Sequence, residues 1–268
     1  MKTYNRRKVS AFPSRIRSSS SDFWALRSVK YDELEWATSA DSIQELLDFA
    51  CIKNDCKVLE IGCGTGLVSE RLAEQSRQVI CIDVSPDMLD QARSKRGEAS
   101  NVNYSLGDAR DLDFPANSFD RIIARMAFHH ITPGIDRAFS ECFRLLKPGG
   151  ILGIQEGIPP AEQCVDWYTR MFKLKETRMT FTPYRMFNHF HHAGFVNISQ
   201  DFFVIHQASV RNWLEKSGLS VERQEQIFDM HRDAPEQVKE AYSMVETSND
   251  VLIDMVMLTT RGIKPRAR

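Results

Sequence analysis

Between Lys57 and Gly157, five short apolar runs recur: KVLEI (57–61), QVICID (78–83), VNYSLGD (102–108), FDRIIARM (119–126) and ILGIQEG (151–157). Each is bounded by turn residues and separated from the next by an amphipathic stretch of helical character. Strands that alternate with helices in this way predict a parallel sheet covered on both faces, so the expected class is α/β with a doubly wound sheet. Ser85 and Pro86 have the chemistry of an N-cap and a first helical residue, and Thr132 and Pro133 repeat the pair before a second helix. Lys147, Pro148, Gly149 and Gly150 are expected to end that helix. After residue 157 the rhythm changes to an aromatic-rich helical stretch, a strand at 195–206, polar helical sequence from 209 to 247, and a last strand at 250–260. The last two strands are expected to pair antiparallel at the sheet edge, with the intervening helices packed over the carboxyl-end face as a lid.

Composition narrows the class further. A chain of 268 residues with 42% apolar and 26% charged residues buries a full core, and 13 Gly and 10 Pro exclude low-complexity and collagen-like classes. The 35 basic and 36 acidic side chains leave a formal charge of −1, so no whole-molecule field draws the chain to nucleic acid. The longest apolar candidate, VLIDMVML from Val251, is interrupted by Asp254 and falls short of the roughly 18 residues of a membrane span. Cys51, Cys56, Cys63, Cys81, Cys142 and Cys164 form no CxxC pair, which points to a reduced, cytoplasmic compartment. Residues 1–21 carry Lys2, Arg6, Arg7, Lys8, Arg15 and Arg17, no acid, and serines from Ser18 to Ser21. They read either as a flexible basic tail or as a mitochondrial presequence. The chain then divides into a ligand-binding core over 22–157 and a remainder, 158–268, of core strands plus lid. His189, His191 and His192 cluster without a complete ligand set, and no metal is expected.

The segment Glu60-Ile61-Gly62-Cys63-Gly64-Thr65-Gly66 lies directly after the first strand and before the helix-like LVSERLAEQ. Three glycines two apart let the backbone turn sharply and bring a ligand against main-chain N–H groups and a helix start. A dinucleotide fingerprint needs GxGxxG, whereas here the third glycine falls one residue early and Leu67 takes the later place; no GxxxxGK[ST] occurs either. Asp83 closes the second strand, 21 positions after Gly62, where a carboxylate accepts hydrogen bonds from both hydroxyls of a ribose. Asp108 closes the third. The three carboxylates of Glu60, Asp83 and Asp108 are expected along one carboxyl edge, where open α/β sheets bind ligands. Acids placed there require donors, which argues for a ligand carrying several.

VLEIGCGTG, CIDVSPDML (81–89), GDARDLDFPANSFD (107–120) and RLLKPGGIL (144–152), in that order, resemble the successive motifs of class I S-adenosylmethionine-dependent methyltransferases. The likeness is to the type-11 group, which includes the ubiquinone and menaquinone C-methyltransferases, and it covers residues 30 to 157. It implies a Rossmann-like, mostly parallel seven-stranded sheet with a C-terminal antiparallel edge pair and a helical lid before the last strand. By this resemblance S-adenosyl-L-methionine is the cofactor. Gly62, Gly64 and Gly66 would line its methionine and ribose portion, Glu60 would anchor the loop near the amino group, and Asp83 would hold the ribose. Met88 would pack on adenine, and Asp108 with Ala109 would meet the adenine edge. Arg125 would either face the methionine part or pair with Glu60. Around Met126-Ala127-Phe128-His129-His130-Ile131 and Lys30-Tyr31-Asp32-Glu33-Leu34-Glu35-Trp36 the chain departs from the quinone branch.

Methyl transfer from a sulfonium chiefly needs alignment and exclusion of water, with a base where the acceptor must lose a proton. His130 and His129, after the fourth strand, are the candidate catalytic residues, with Glu156 a further candidate; the histidines alternatively close a turn that opens a helix. Trp167, Tyr168, Met171, Phe172, Phe181, Tyr184, Phe187 and Phe190 suit an apolar or aromatic acceptor, or else form the lid's own core. The expected function is methyl transfer to a small molecule by a monomer or homodimer. RNA or protein methylation, for which the basic tail and Lys264, Arg266 and Arg268 are the local charge clusters, and non-catalytic cofactor binding by an interaction protein are the alternatives.

Overall fold

The computed structural model describes residues 27–96 and 99–266, so the expected basic tail lies outside the described residues. The apolar runs become β1 (Lys57–Ile61), β2 (Gln78–Asp83), β3 (Val102–Leu106), β4 (Phe119–Arg125) and β5 (Leu146–Ile158). All five pair in parallel in the order β3-β2-β1-β4-β5. β8 (Val251–Ile263) adds antiparallel to β5, and β6 (Val196–Ser209) adds antiparallel to β8. β7 (Val245–Glu246), a two-residue strand that alternation rules do not reveal, pairs with β8 and makes the sheet eight-stranded. The sheet order reverses at β1 and β4, the crevice where ligands of such sheets bind.

Alternation along the central strands builds two layers. Val58 of β1 and Ile123 of β4 face one side and pack with α1 (Ala40–Phe49), α2 (Leu67–Gln75) and α3 (Pro86–Arg96) through Ile43, Leu46, Val68, Leu72 and Leu89. Leu59, Ile61, Ile122 and Ala124 face the other and meet α4 (Ile135–Leu145) and α6 (Pro183–His192) through Phe139, Cys142, Met186 and Phe190. A separate apolar cluster joins α5 (Val165–Lys175), α7 (Val210–Glu215), α8 (Val221–Arg232) and α9 (Glu236–Ala241) to Val251 and Ile253. These helices roof the carboxyl end of the parallel strands, because the long β6–β8 pair carries the sheet past that edge.

Two local expectations are corrected. Ser85 does cap α3, its hydroxyl accepting from the Met88 N–H at 3.3 Å, but Thr132 does not cap α4. The Thr132–Pro133 peptide is cis, and α4 starts two residues later behind Gly134 at φ +97°. Nor do Lys147 to Gly150 end that helix: it stops at Leu145 and the chain passes straight into β5. Those residues form an irregularity between the pairs Phe119–Leu146 and Arg121–Ile151, with Gly149 at φ +81°. A Cβ on Gly150 would lie 2.8 Å from the Lys147 carbonyl oxygen, so this loop-out is built for glycine. The VLIDMVML run is part of β8, and among the described residues no helix is long and apolar enough to cross a membrane. All six cysteines are free thiols.

Arg125, at the end of β4, fastens the segment before α1 to the sheet. Its Nε donates to Gln155 Oε1 at 2.8 Å, Nη1 to the Ala37 carbonyl at 3.0 Å and Nη2 to the Trp36 carbonyl at 3.1 Å, all buried. Arg125→Met keeps the volume but leaves these acceptors without donors, and is expected to lower the unfolding free energy by about 3 kcal/mol in urea titration. An unchanged midpoint would show that Arg125 does not fasten this segment.

Candidate active site

The carboxyl ends of β1 to β4 and the helical roof border a cavity of about 1090 Å³ that is partly open to solvent. At one end lies the glycine turn after β1. The N–H groups of Gly62 and Cys63 both donate to the Ile82 carbonyl, at 2.8 and 3.1 Å, so the turn is tied to β2. Gly62 has φ +68°, and a Cβ there would meet the Ala127 Cβ at 2.5 Å. Gly64 also has positive φ, but a Cβ on it would find nothing within 4 Å, because it borders the open cavity. The Gly64 N–H donates to Asp83 Oδ2 and the Ser85 N–H to Asp83 Oδ1, both at 2.9 Å. These backbone donors hold the carboxylate in place, while burial pushes its pKa up. Val84 and Leu106, both exposed, and buried Met88 supply apolar surface beside it. Asp108 is clasped by Arg110, whose hydrogen bond holds the carboxyl below its ordinary range.

Of the residues expected at the cofactor, Gly62, Gly64, Asp83, Met88, Asp108, Ala109 and Arg125 line the cavity. Gly66 instead forms the left-handed N-cap of α2, where a Cβ would crowd Tyr104 Oη at 3.0 Å. Glu60 does not share the edge with Asp83 and Asp108. The pleat of β1 turns its side chain toward α2, where it is buried and accepts from the Ser69 hydroxyl. Arg125 therefore does not pair with Glu60; its guanidinium is engaged by Gln155 and the two backbone carbonyls. The apolar sequence around Glu60 does not register this inward turn, because alternation sets the face and not what waits there.

Burial pushes the Glu60 carboxyl up to about 8, against the opposing effect of the Ser69 bond. Its ordinary value is 4.5, so between these limits the native state holds a proton that the unfolded chain has released. The associated stability is complete below 4.5 and is lost as pH rises through 8. Glu60→Gln removes this dependence, so the variant is expected to gain on the parent by a few kcal/mol between pH 5 and pH 9 in paired chemical denaturation. A pH-independent difference would contradict the assignment.

The other end of the cavity is built from the turn after β4 and the end of α5. The His129 imidazole Nδ1 lies 2.5 Å from Glu156 Oε2, and the His129 N–H donates to Glu156 Oε1 at 3.2 Å. The His129 and His130 rings sit 3.9 Å apart, centroid to centroid. Burial holds both imidazoles well below their ordinary pKa and pushes Glu156 up to about 7. Beside them, Glu176 accepts from Arg27 Nη1 at 2.9 Å and Lys175 Nζ at 2.6 Å, with Arg178 Nη1 at 3.6 Å. His129, His130 and Glu176 place ligand-type atoms within 4.8 Å of one another, although the cations around Glu176 oppose a divalent ion there.

Several lining residues were not legible as site residues. Lys175-Glu176-Thr177-Arg178 reads as a solvated connector after an aromatic helix, yet Lys175, Glu176 and Arg178 all line the cavity. Tyr31 and Trp36 enter from the segment held by Arg125. The side chains expected around the acceptor divide: Tyr168, Met171 and Phe172 line the cavity, Trp167 packs on His231 and Tyr242, Phe181 and Phe190 belong to the α4 core, and Tyr184 and Phe187 are exposed. His189 turns outward from this site to meet Asp136 at 2.8 Å.

Residues 58–150 match the methyltransferase domain family. Over those residues the chain is similar to methyltransferase domains. It is 34% identical over 144 residues to the ubiquinone/menaquinone biosynthesis C-methyltransferase UbiE of Saccharophagus degradans, covering 50% of this chain and 57% of that protein. The chain thus spans about half the length of that relative. Its fold is that of the YcgJ protein of Bacillus subtilis, with a TM-score of 0.75 and 21% identity over 85% of this chain and 99% of that one. It also matches Haemonchus contortus phosphoethanolamine N-methyltransferase 2 in complex with S-adenosyl-L-methionine, with a TM-score of 0.61 and 22% identity over 95% of this chain and 62% of that one.

Proposed function

We propose that this protein transfers a methyl group from S-adenosyl-L-methionine to a small acceptor with an aromatic or apolar body. The observation that carries the reading is a continuous cavity, partly open to solvent, that joins the Asp83 end of the sheet to the His130 end under the helical roof. Its volume of about 1090 Å³ reaches beyond the roughly 300–1,000 Å³ of a one-ligand pocket, leaving space for donor and acceptor together. A concave cavity of this size under the helical roof suits a small acceptor.

The residues present fit the cofactor. Asp83, fixed by two backbone N–H groups, keeps lone pairs for ribose hydroxyls. Val84, Leu106 and Met88 offer apolar surface to a purine, and Asp108 with Ala109 borders its edge. Gly64 leaves room for close approach, and Trp36 Nε1 is a buried donor that makes no hydrogen bond among the described residues. When bound, S-adenosylmethionine supplies an electrophilic methyl group on a sulfonium. The chain's own contribution is to align the acceptor, exclude water under the roof and take a proton where the acceptor must lose one. His130 is proposed as that base, with His129 held by Glu156 as the group that positions it. Burial keeps both imidazoles unprotonated near pH 7, although weakened as bases.

Asp83→Ala is expected to weaken S-adenosylmethionine binding at least about tenfold in titration calorimetry, and retained affinity would reject the ribose assignment. His130→Ala is expected to keep cofactor affinity while lowering the single-turnover rate by about 10²-fold or more. A rate equal to the parent's would leave His130 a packing residue.

A further inference from the structure

The roof end of the cavity buries three basic side chains, Arg27, Lys175 and Arg178, beside two acids, Glu156 and Glu176. Glu176 is shared by Arg27, Lys175 and Arg178, and all four side chains are at most 5% exposed. Glu156, the neighbouring acid, is already engaged by His129. Buried guanidinium donors left without an acceptor are unfavourable, so Arg178, the cation farthest from Glu176, is where a further anion would be most stabilising.

Arg178 shows how such an anion would be held. Its guanidinium lies over the Phe172 ring at 4.1 Å, which fixes the plane of the group. Nη1 is directed at Glu176, whereas Nε and Nη2 are buried and make no hydrogen bond among the described residues. These two donors lie along one edge of the planar group, with the spacing of two oxygens of a carboxylate or phosphate. An ordinary structural arginine at this depth would have that edge satisfied. Tyr168, Phe172 and Trp213 line the same end, so an aromatic body has surface to rest on beside the cations.

We propose that the acceptor is an anionic aromatic molecule, whose carboxylate or phosphate group is received by the unpaired Nε and Nη2 edge of Arg178 with Lys175 and Arg27 in support. The inference rests on reading the cavity as a methyl-transfer site. It explains why a charged run follows an aromatic helix at the cavity wall. It also accounts for Lys175, whose ammonium, pulled down to about 7 by burial and the nearby Arg27, would regain full charge beside an anion.

The test uses the full chain saturated with S-adenosylhomocysteine and measures calorimetric binding of matched probes: benzoate, 2-naphthoate and phenyl phosphate against benzamide, 2-naphthamide and phenol. At least one anion is expected to bind tenfold or more tightly than its neutral counterpart, and the carboxylate and phosphate arms identify the preferred group. Arg178→Met is expected to abolish that preference and Arg178→Lys to retain part of it. Lys175→Met, expected to weaken it, serves as the second variant should the Arg178→Met chain fail to fold by circular dichroism. Binding of none of the anions, equal binding of anion and neutral probe, or a preference that survives Arg178→Met would overturn the proposal. S-adenosylhomocysteine is titrated separately. Its failure to bind would strike the methyl-transfer reading, while the anion preference of the cavity is still measured on the chain alone.

Discussion

The contact on which the site depends is the close approach of Gly62 to Ala127, where the end of β1 meets the exit of β4. A side chain at Gly62 would fall 2.5 Å from the Ala127 Cβ, so the two loops pass at a distance that only glycine permits. The same turn is pinned to β2 through the Ile82 carbonyl, which receives both the Gly62 and Cys63 N–H groups. Three parallel strands are thereby locked at their carboxyl ends. The Gly64 N–H is delivered to Asp83, and the chain leaving β4 is directed toward His129 and His130. The two ends of the cavity are held in mutual geometry by backbone, which loses no rotamer freedom when a ligand arrives.

Buried charge is then treated differently at the two ends. At the Asp83 end the carboxylate is met by fixed N–H dipoles, and Glu60 is removed from the cavity and neutralised by its surroundings. At the roof end, desolvation holds the two histidines neutral and raises Glu156, whereas Glu176, although burial pushes it up, is held well below its ordinary value chiefly by Lys175, with Arg27 in support. The balance of those opposing effects makes one end suited to receiving hydroxyl donors and the other to receiving an anion. Arg125 stands between them, binding the segment that carries Trp36 to β4 and Gln155.

Much of the core was legible because its signals are local. The bounds of β1 and β2 coincide with the apolar runs at 57–61 and 78–83, since a strand buried on both faces needs a continuous apolar stretch between turns. The antiparallel pairing of β6 with β8 and the helices between them also agree with the sequence rhythm. Boundaries failed where glycine and proline act in a way their type does not disclose. Gly149 and Gly150 serve a strand irregularity and not a helix end, and Pro133 sits in a cis peptide ahead of α4.

From the order of residues alone came the parallel α/β core, the glycine turn after β1 and Asp83 at the end of β2, because each is set within one strand–turn–helix unit. Tertiary structure decided what lies across the cavity from them. Glu60 turns away, Arg125 reaches back to Trp36 and Ala37, and the charged Lys175–Arg178 run becomes a cavity wall beside His129 and His130. These depend on residues separated by tens of positions, such as Arg27 and Glu176, 149 apart in the chain. No local periodicity encodes such a meeting, because it follows from where the sheet and its roof bring distant segments together.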